Sequence, residues 1–206
     1  VKTGILGGTF DPPHIGHLEM AREARTALGL DRVLFMVAGR PRLKKNSNIS
    51  PASDRLEMAR LAVEGEAGFS VSAMEAERPG VTYTADTLEE LQRRSQDADR
   101  YYFIMGWDNL IKLKEWHRPQ DIIKNCYIVA IPRQGCGVPD TETLEKELPG
   151  ILKRLFLLDR PVADISASSI REKVRLSRDI TGLVPERVAG YIRERGLYRQ
   201  VPAHKD

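Results

Sequence analysis

The chain has little that would staple it, anchor it or load it with one sign of charge. Cysteine occurs twice in 206 residues, which excludes a disulfide framework and leaves too few thiols for a zinc site. Cys126 sits in an apolar run and reads as a buried thiol; Cys136, between two glycines, reads as loop. No apolar stretch approaches the roughly 20 residues that a membrane span needs. The first residues lack the basic, hydrophobic and small-residue pattern of a signal peptide, so a cytoplasmic location is expected. Lys and Arg outnumber Asp and Glu by only 32 to 29, and the two signs are interspersed, as over 187–194. The basic stripe of a nucleic-acid binder is therefore missing, and the mild excess suits small polyanions better. No HExxH, Ser-His-Asp or paired-carboxylate arrangement stands out.

What is present is an alternation of short apolar runs and amphipathic stretches. Strands are expected at 2–6, 32–37, 69–74, 101–105, 127–131 and 155–158. Helices are expected at 16–28, 51–63, 85–94, 109–113, 119–124, 143–147, 168–176 and 185–195, with Pro51 and Pro185 as first-turn prolines. Continuous apolar runs suit central parallel strands. The pattern predicts an α/β fold: a doubly wound, Rossmann-like parallel sheet with helices on both faces and a small C-terminal helical part. One domain over 1–206 is expected, with a core at about 1–160 and a helical segment at about 161–200. The Arg- and Lys-rich loop at 38–50 reads as a flap over the ligand, and 201–206 as a frayed tail.

The most informative run is Gly7-Gly8-Thr9-Phe10-Asp11-Pro12-Pro13-His14-Ile15-Gly16-His17, directly after the first strand. Two of the chain's four histidines fall here, at the mouth of a helix, behind glycines that permit close approach of backbone to a ligand. Ordinary core or surface histidines, or a metal pair, are competing readings. A His-x-x-His pair without nearby Cys or a third His is a weak zinc signal. A helix mouth offers unpaired N–H groups and the positive end of the dipole, which favours two imidazole donors aimed at a phosphate. A second anion site is offered by Ile165-Ser166-Ala167-Ser168-Ser169-Ile170-Arg171: hydroxyls and N–H groups at a helix start, with a guanidinium one turn in.

The first run resembles the (T/H)xGH signature of the nucleotidyltransferase superfamily. Class I aminoacyl-tRNA synthetases share it, but their Lys-Met-Ser-Lys-Ser partner is absent. The second run resembles the superfamily's Ile-Ser-Ser-Thr-x-x-Arg motif, with Ala167 for one serine and Ser168 for the threonine. Further segments resemble bacterial nicotinate-nucleotide adenylyltransferases over nearly the whole chain. Thr82-Tyr83-Thr84-Ala85-Asp86-Thr87-Leu88 looks like their Ser-Tyr-Thr-x-x-Thr-Leu segment, and Ile104-Met105-Gly106-Trp107-Asp108 like their Ile-Gly-x-Asp turn. Ile131-Pro132-Arg133-Gln134-Gly135 looks like their Arg-x-Gly turn. Trp116 falls where the family keeps a ring-stacking tryptophan. The loop after the second strand departs from the pattern: Leu43 replaces a polar residue beside Lys44.

The resemblance implies transfer of AMP from ATP to nicotinate mononucleotide, giving deamido-NAD and pyrophosphate. It implies catalytic roles for His14, His17 and Arg171. It places ATP against Gly7, Gly8, Thr9, Phe10, His17, Gly106, Asp108, Ser166, Ser168, Ser169 and Arg171, and the mononucleotide against Lys44, Tyr83, Thr84, Trp116 and Arg133. Mg²⁺ would be carried by substrate phosphates and water rather than a protein cage; no nucleic acid or membrane partner is implied, and a homodimer is allowed. Trp116 has helical spacing with Leu110, Ile111 and Leu113, which also fits a core residue. Its polar neighbours Lys114, Glu115, His117 and Arg118 favour a partly exposed ring, with Trp107 as the competitor. Asp108 alternatively reads as a helix N-cap. Alternatives for the whole are a nicotinamide-mononucleotide or pantetheine-phosphate adenylyltransferase, or a nucleotide-binding regulator without turnover. The helix start at Tyr83–Asp86 favours an anionic substrate ring, whereas Asp86 opposes it if its carboxylate faces that ring.

Overall fold

The computed structural model describes residues 1–39, 49–95, 99–133 and 135–199. Lys44 and most of the 38–50 loop, and the 201–206 tail, lie outside them. The elements run β1 (Lys2–Gly8), α1 (Ile15–Leu28), β2 (Arg32–Val37), α2 (Ala52–Val63), β3 (Phe69–Ser72), α3 (Thr84–Arg94), β4 (Arg100–Gly106) and α4 (Trp107–Ile111). They continue with α5 (Pro119–Asn125), β5 (Tyr127–Ile131), α6 (Thr141–Glu147), β6 (Leu155–Leu157), α7 (Ala167–Arg175) and α8 (Glu186–Arg195). Among the described residues no helix is long and apolar enough to cross a membrane.

All neighbouring strands pair in parallel, in the order β3-β2-β1-β4-β5-β6. This is the doubly wound arrangement expected. The order reverses between β1 and β4, so the connections leave to opposite faces and open a crevice at the strands' carboxyl ends. One face carries a core of Leu88, Leu91, Leu110, Leu113, Ile122 and Ile128. The other packs α1 and α2 onto the sheet through Leu18, Ala21, Leu56, Ala59 and Phe35. A third cluster seats α7 and α8 on α2, through Met58, Ala62, Ile170, Val188 and Ile192. Ile170 and Val188 are fully buried there; truncating Ile170 to Ala costs about 2–5 kcal/mol.

Several boundaries move, each for a local reason. Gly7 and Gly8 do not follow β1; they are its last residues, in register with Met36 and Val37. Pro51 and Pro185 are N-caps rather than first-turn residues, because their ψ values of 146° and 145° are extended. β3 ends at Ser72, short of the expected 74. α6 begins two residues earlier than expected because Asp140 caps it, accepting from the Glu142 and Thr143 N–H groups. The 109–113 helix becomes α4 followed by a single 3₁₀ turn over Leu113–Glu115. Cys126 is buried, and burial pushes its thiol up to about 12.

Candidate active site

The end of β1 is where two regions meet. Gly7 and Gly8 lack side chains because the space is taken: a Cβ on Gly7 would lie 3.3 Å from the Phe103 ring, and one on Gly8 3.0 Å from the Phe10 ring. Phe10 itself holds a left-handed φ of 50° and buries its ring in the core. Its edge meets His17, with centroids 4.9 Å apart. Any ligand contact at Phe10 therefore belongs to its backbone. Beyond it, His14 is the N-cap of α1 and His17 its third residue. The His17 Nδ1 accepts from the His14 backbone N–H at 3.1 Å, so the neutral ring carries its proton on Nε2.

The two imidazoles are stacked at 3.7 Å. Burial, reinforced by the charge of Arg133, lowers His14 to about 4. Burial, then His14 and Arg133, hold His17 well below the usual histidine range. At neutral pH both rings are uncharged donors. Arg133, expected to contact the mononucleotide, lies beside this pair, with its guanidinium 3.6 Å from the Met20 sulfur on α1. It also lies over Gly106, where a Cβ would sit 3.2 Å from its Nε and collide with Asp108 Oδ1. Asp108 is not the helix cap; Gly106 caps α4. The Asp108 Oδ1 is buried without a hydrogen-bond partner among the described residues, an exception to the rule that buried polar atoms are paired.

The second motif folds as a capped helix start, one residue earlier than expected. Ser166 is the N-cap of α7 and its Oγ accepts from the Ser169 N–H at 3.1 Å. The Ser169 hydroxyl returns a bond to the Ser166 carbonyl at 3.2 Å, so these two hydroxyls serve the cap. Arg171 donates to Ser168 Oγ at 3.2 Å and to the Asp11 main-chain oxygen at 2.7 Å. That second bond joins the two motifs across the fold. Glu19 of α1 adds another link, accepting from the Ala163 N–H at 2.7 Å.

On the other side of Gly7–Thr9 lies a cavity of about 340 Å³. Its walls include Ala38, Glu75, Thr82, Tyr83, Thr84, Phe103, Trp116 and His117. Trp116 is half-buried, edge-on to Phe103 at 6.0 Å, and lines the cavity. Trp107 does not line it; its indole N–H donates to the Ala130 carbonyl at 3.3 Å. Tyr83 caps α3 without a side-chain hydrogen bond, so the first N–H groups of that helix stay available at the wall. The Tyr83 and His117 rings pair at 4.2 Å on the rim. Asp86 is turned to Arg118, which donates to it at 2.6 Å and to Glu89 at 2.9 Å.

The sequence pointed to His14, His17, Arg171, Tyr83, Thr84 and Trp116, and the fold brings them to the strand ends. It did not point to Glu75, whose carboxyl burial pushes above the ordinary range while a 2.7 Å bond from Thr87 pulls it back. Nor did it point to Arg55, buried and donating to the carbonyls of Thr9, Ala38, Gly39 and Ser50. A lone Arg in an amphipathic helix gives no signal; only the convergence of two loops on it does.

Comparison with known proteins agrees with this geometry. The Cytidylyltransferase-like family model matches residues 5–173. A probable nicotinate-nucleotide adenylyltransferase of Dehalococcoides mccartyi is 47% identical over 200 residues, covering 97% of this chain and 98% of its own. One from Roseiflexus sp. is 42% identical over 196 residues, covering 95% and 97%. Among solved structures, the nicotinic acid mononucleotide adenylyltransferase of Plasmodium falciparum complexed with NaAD superposes with a TM-score of 0.79. It is 18% identical and is covered over 97% of its length, with 96% of this chain, a likeness of fold. The matched model and the near full-length identity place this chain in the nicotinate-nucleotide adenylyltransferase family of cytidylyltransferase-like nucleotidyltransferases.

Proposed function

We propose that the protein joins ATP to nicotinate mononucleotide, releasing pyrophosphate and forming deamido-NAD, as a cytoplasmic enzyme of NAD synthesis. One observation carries the reading. The strand end Gly7–Thr9 lines the Trp116 cavity and runs directly into the neutral donor pair at the mouth of α1. A phosphate oxygen of the mononucleotide attacks the α-phosphorus of ATP in line; the P–O bond to the β-phosphate breaks and pyrophosphate leaves. The nucleophile is already an anion, so no general base is needed. Positioning and preorganised donors do the catalysis.

In this reading His14 bridges the α-phosphate and the incoming phosphate, and His17 donates its Nε2–H to ATP. Arg171, with the N–H groups of the α7 start around Ser168 and Ser169, stabilises the departing pyrophosphate. Arg133 joins the phosphate side. Gly106 and Asp108 face the ribose of ATP. Trp116 stacks on the pyridinium, and the Tyr83–Thr84 start of α3 receives its carboxylate. Lys44 would add charge from the flap. The segment after residue 160 then works with the core as one unit, since Arg171 reaches Asp11. Mg²⁺ enters with ATP as part of the substrate, neutralising phosphate charge through phosphate oxygens and water. The donor set, neutral N–H groups and guanidinium, fits phosphate oxygens.

Pyrophosphate release, measured with ATP and each of the two pyridine mononucleotides, tests the proposal. Turnover with the acid form above that with the amide is the expected result. Preference for the amide would reassign the substrate, and ATP binding without turnover would favour a regulator.

A further inference from the structure

Asp11 lies three residues before His14 and is 2% exposed, yet every one of its oxygens has a partner. Its main-chain oxygen accepts from Arg171 at 2.7 Å. Its Oδ2 accepts from the Ser50 N–H at 3.1 Å, and its Oδ1 accepts from the Tyr198 hydroxyl at 2.6 Å. Tyr198 comes from the turn after α8, 187 residues away, in a left-handed conformation with φ of 64°. Its ring packs with the C-terminal cluster, and its hydroxyl also approaches the Met58 sulfur at 3.8 Å. Burial and the facing carboxylate keep that hydroxyl protonated, so it can only donate to Asp11. The groups facing it are Asp11, Ser50 and the cation of Arg171; Arg55 stands behind Asp11 and feels the fields of both Asp11 and Tyr198.

This is more wiring than a turn needs. The Arg171 guanidinium has five donors, and the bond to Asp11 fixes which of them can face a ligand. The carboxylate is buried, so losing one of its acceptor bonds would force the 10–13 turn to rearrange toward a new partner.

We propose that Tyr198 is a positioning residue for the transfer reaction: it holds Asp11, and through the Asp11 carbonyl it sets the guanidinium of Arg171 at the leaving pyrophosphate. The proposal rests on the role given to Arg171 above. It makes the last turn of the described chain part of the catalytic geometry, although Tyr198 touches no substrate.

The test is a cycle of Tyr198→Phe, Arg171→Ala and the double variant in the full chain. Each is assayed for pyrophosphate release from ATP and nicotinate mononucleotide, and for equilibrium binding of ATP. Tyr198→Phe keeps the ring in its cluster and removes only the hydroxyl. Its kcat is expected to fall about tenfold, with KM for the mononucleotide within about twofold of wild type. In the Arg171→Ala background the same change is expected to cost nothing further. Asp11→Asn, which keeps shape and alters the acceptors, must show the same dependence on Arg171. A merely structural contribution would lower both backgrounds equally. Effects that multiply in the double variants, or full kcat in Tyr198→Phe, overturn the proposal. Absence of wild-type turnover with either mononucleotide would sink the functional reading instead. The cycle read on ATP affinity then decides the positioning claim by the same criterion.

Discussion

The rings of His14 and His17 lie 3.7 Å apart and 29° from parallel, stacked at the first turn of α1. Two imidazolium ions could not share that arrangement beside Arg133, so the stack exists because both rings are neutral. For His14 this has a consequence for stability. Its folded value is about 4 against an ordinary 6.5. Between those values the unfolded chain binds the proton and the folded chain does not. The stabilisation is therefore complete above pH 6.5 and is lost as the pH falls towards 4, worth roughly 3 kcal/mol in all. Urea unfolding of wild type and His14→Asn at pH 7 and pH 5 measures it. Wild type should lose more stability on acidification than the variant; equal losses would contradict neutral burial of this ring.

The same neutrality shapes catalysis. His17 holds its Nδ1 against the His14 N–H at 3.1 Å, leaving Nε2–H as the donor. His17→Ala removes a preorganised donor and should lower kcat by on the order of 10²–10³. His17→Gln should recover part of the loss, because its amide can again donate. The kcat/KM profile of wild type should show no inflection of histidine origin near pH 6.5, since neither ring titrates there in the free enzyme. An inflection at that pH, abolished by His17→Gln, would show that a charged imidazole takes part.

Trp116 and Trp107 separate cleanly. Trp116 lines the cavity and Trp107 bonds the Ala130 carbonyl away from it. An indole stacked on a pyridinium contributes about 1–2 kcal/mol, so Trp116→Ala should raise KM for the mononucleotide roughly 5–30-fold with little change in KM for ATP. Trp107→Phe should lower the melting temperature and leave both KM values close to wild type. Steady-state kinetics with each substrate varied in turn distinguishes the two; the opposite pattern would exchange their roles.

The parallel, doubly wound sheet was legible because short, mainly apolar runs separated by amphipathic stretches leave few alternatives; the strand order was not. The two helix starts, at His14 and Ser166, were legible because histidine and serine next to glycine or an amphipathic run have a direct local reading. Residues that act through a third element were not. Arg55 is an ordinary helical arginine until the carbonyls of Thr9, Ala38 and Ser50 converge on it. The bearing of Arg133 could not be read from its turn, because the backbone after β5 is held by a bridge to Val162 from a remote segment. Asp86 was ambiguous for the same reason: its bearing depends on Arg118, 32 residues away.

That pair gives the last prediction. Asp86 sits in the first turn of α3, where its charge would work against a substrate carboxylate at the helix mouth. Its field reaches the cavity, since it helps to raise the Glu75 carboxyl. Arg118 answers it at 2.6 Å while also bonding Glu89 at 2.9 Å and facing Asp121 at 3.2 Å. The cluster is partly exposed, so its effect is screened and modest. Arg118→Met should therefore lower the preference for nicotinate over nicotinamide mononucleotide by about two- to fivefold, through KM for the acid alone. Adding Asp86→Asn should restore it, because the unopposed charge is then gone. Raising the salt concentration should shrink the difference between wild type and Arg118→Met, as screening replaces the missing cation. An equal rise in KM for both mononucleotides would mean that Arg118 only braces α5 against α3.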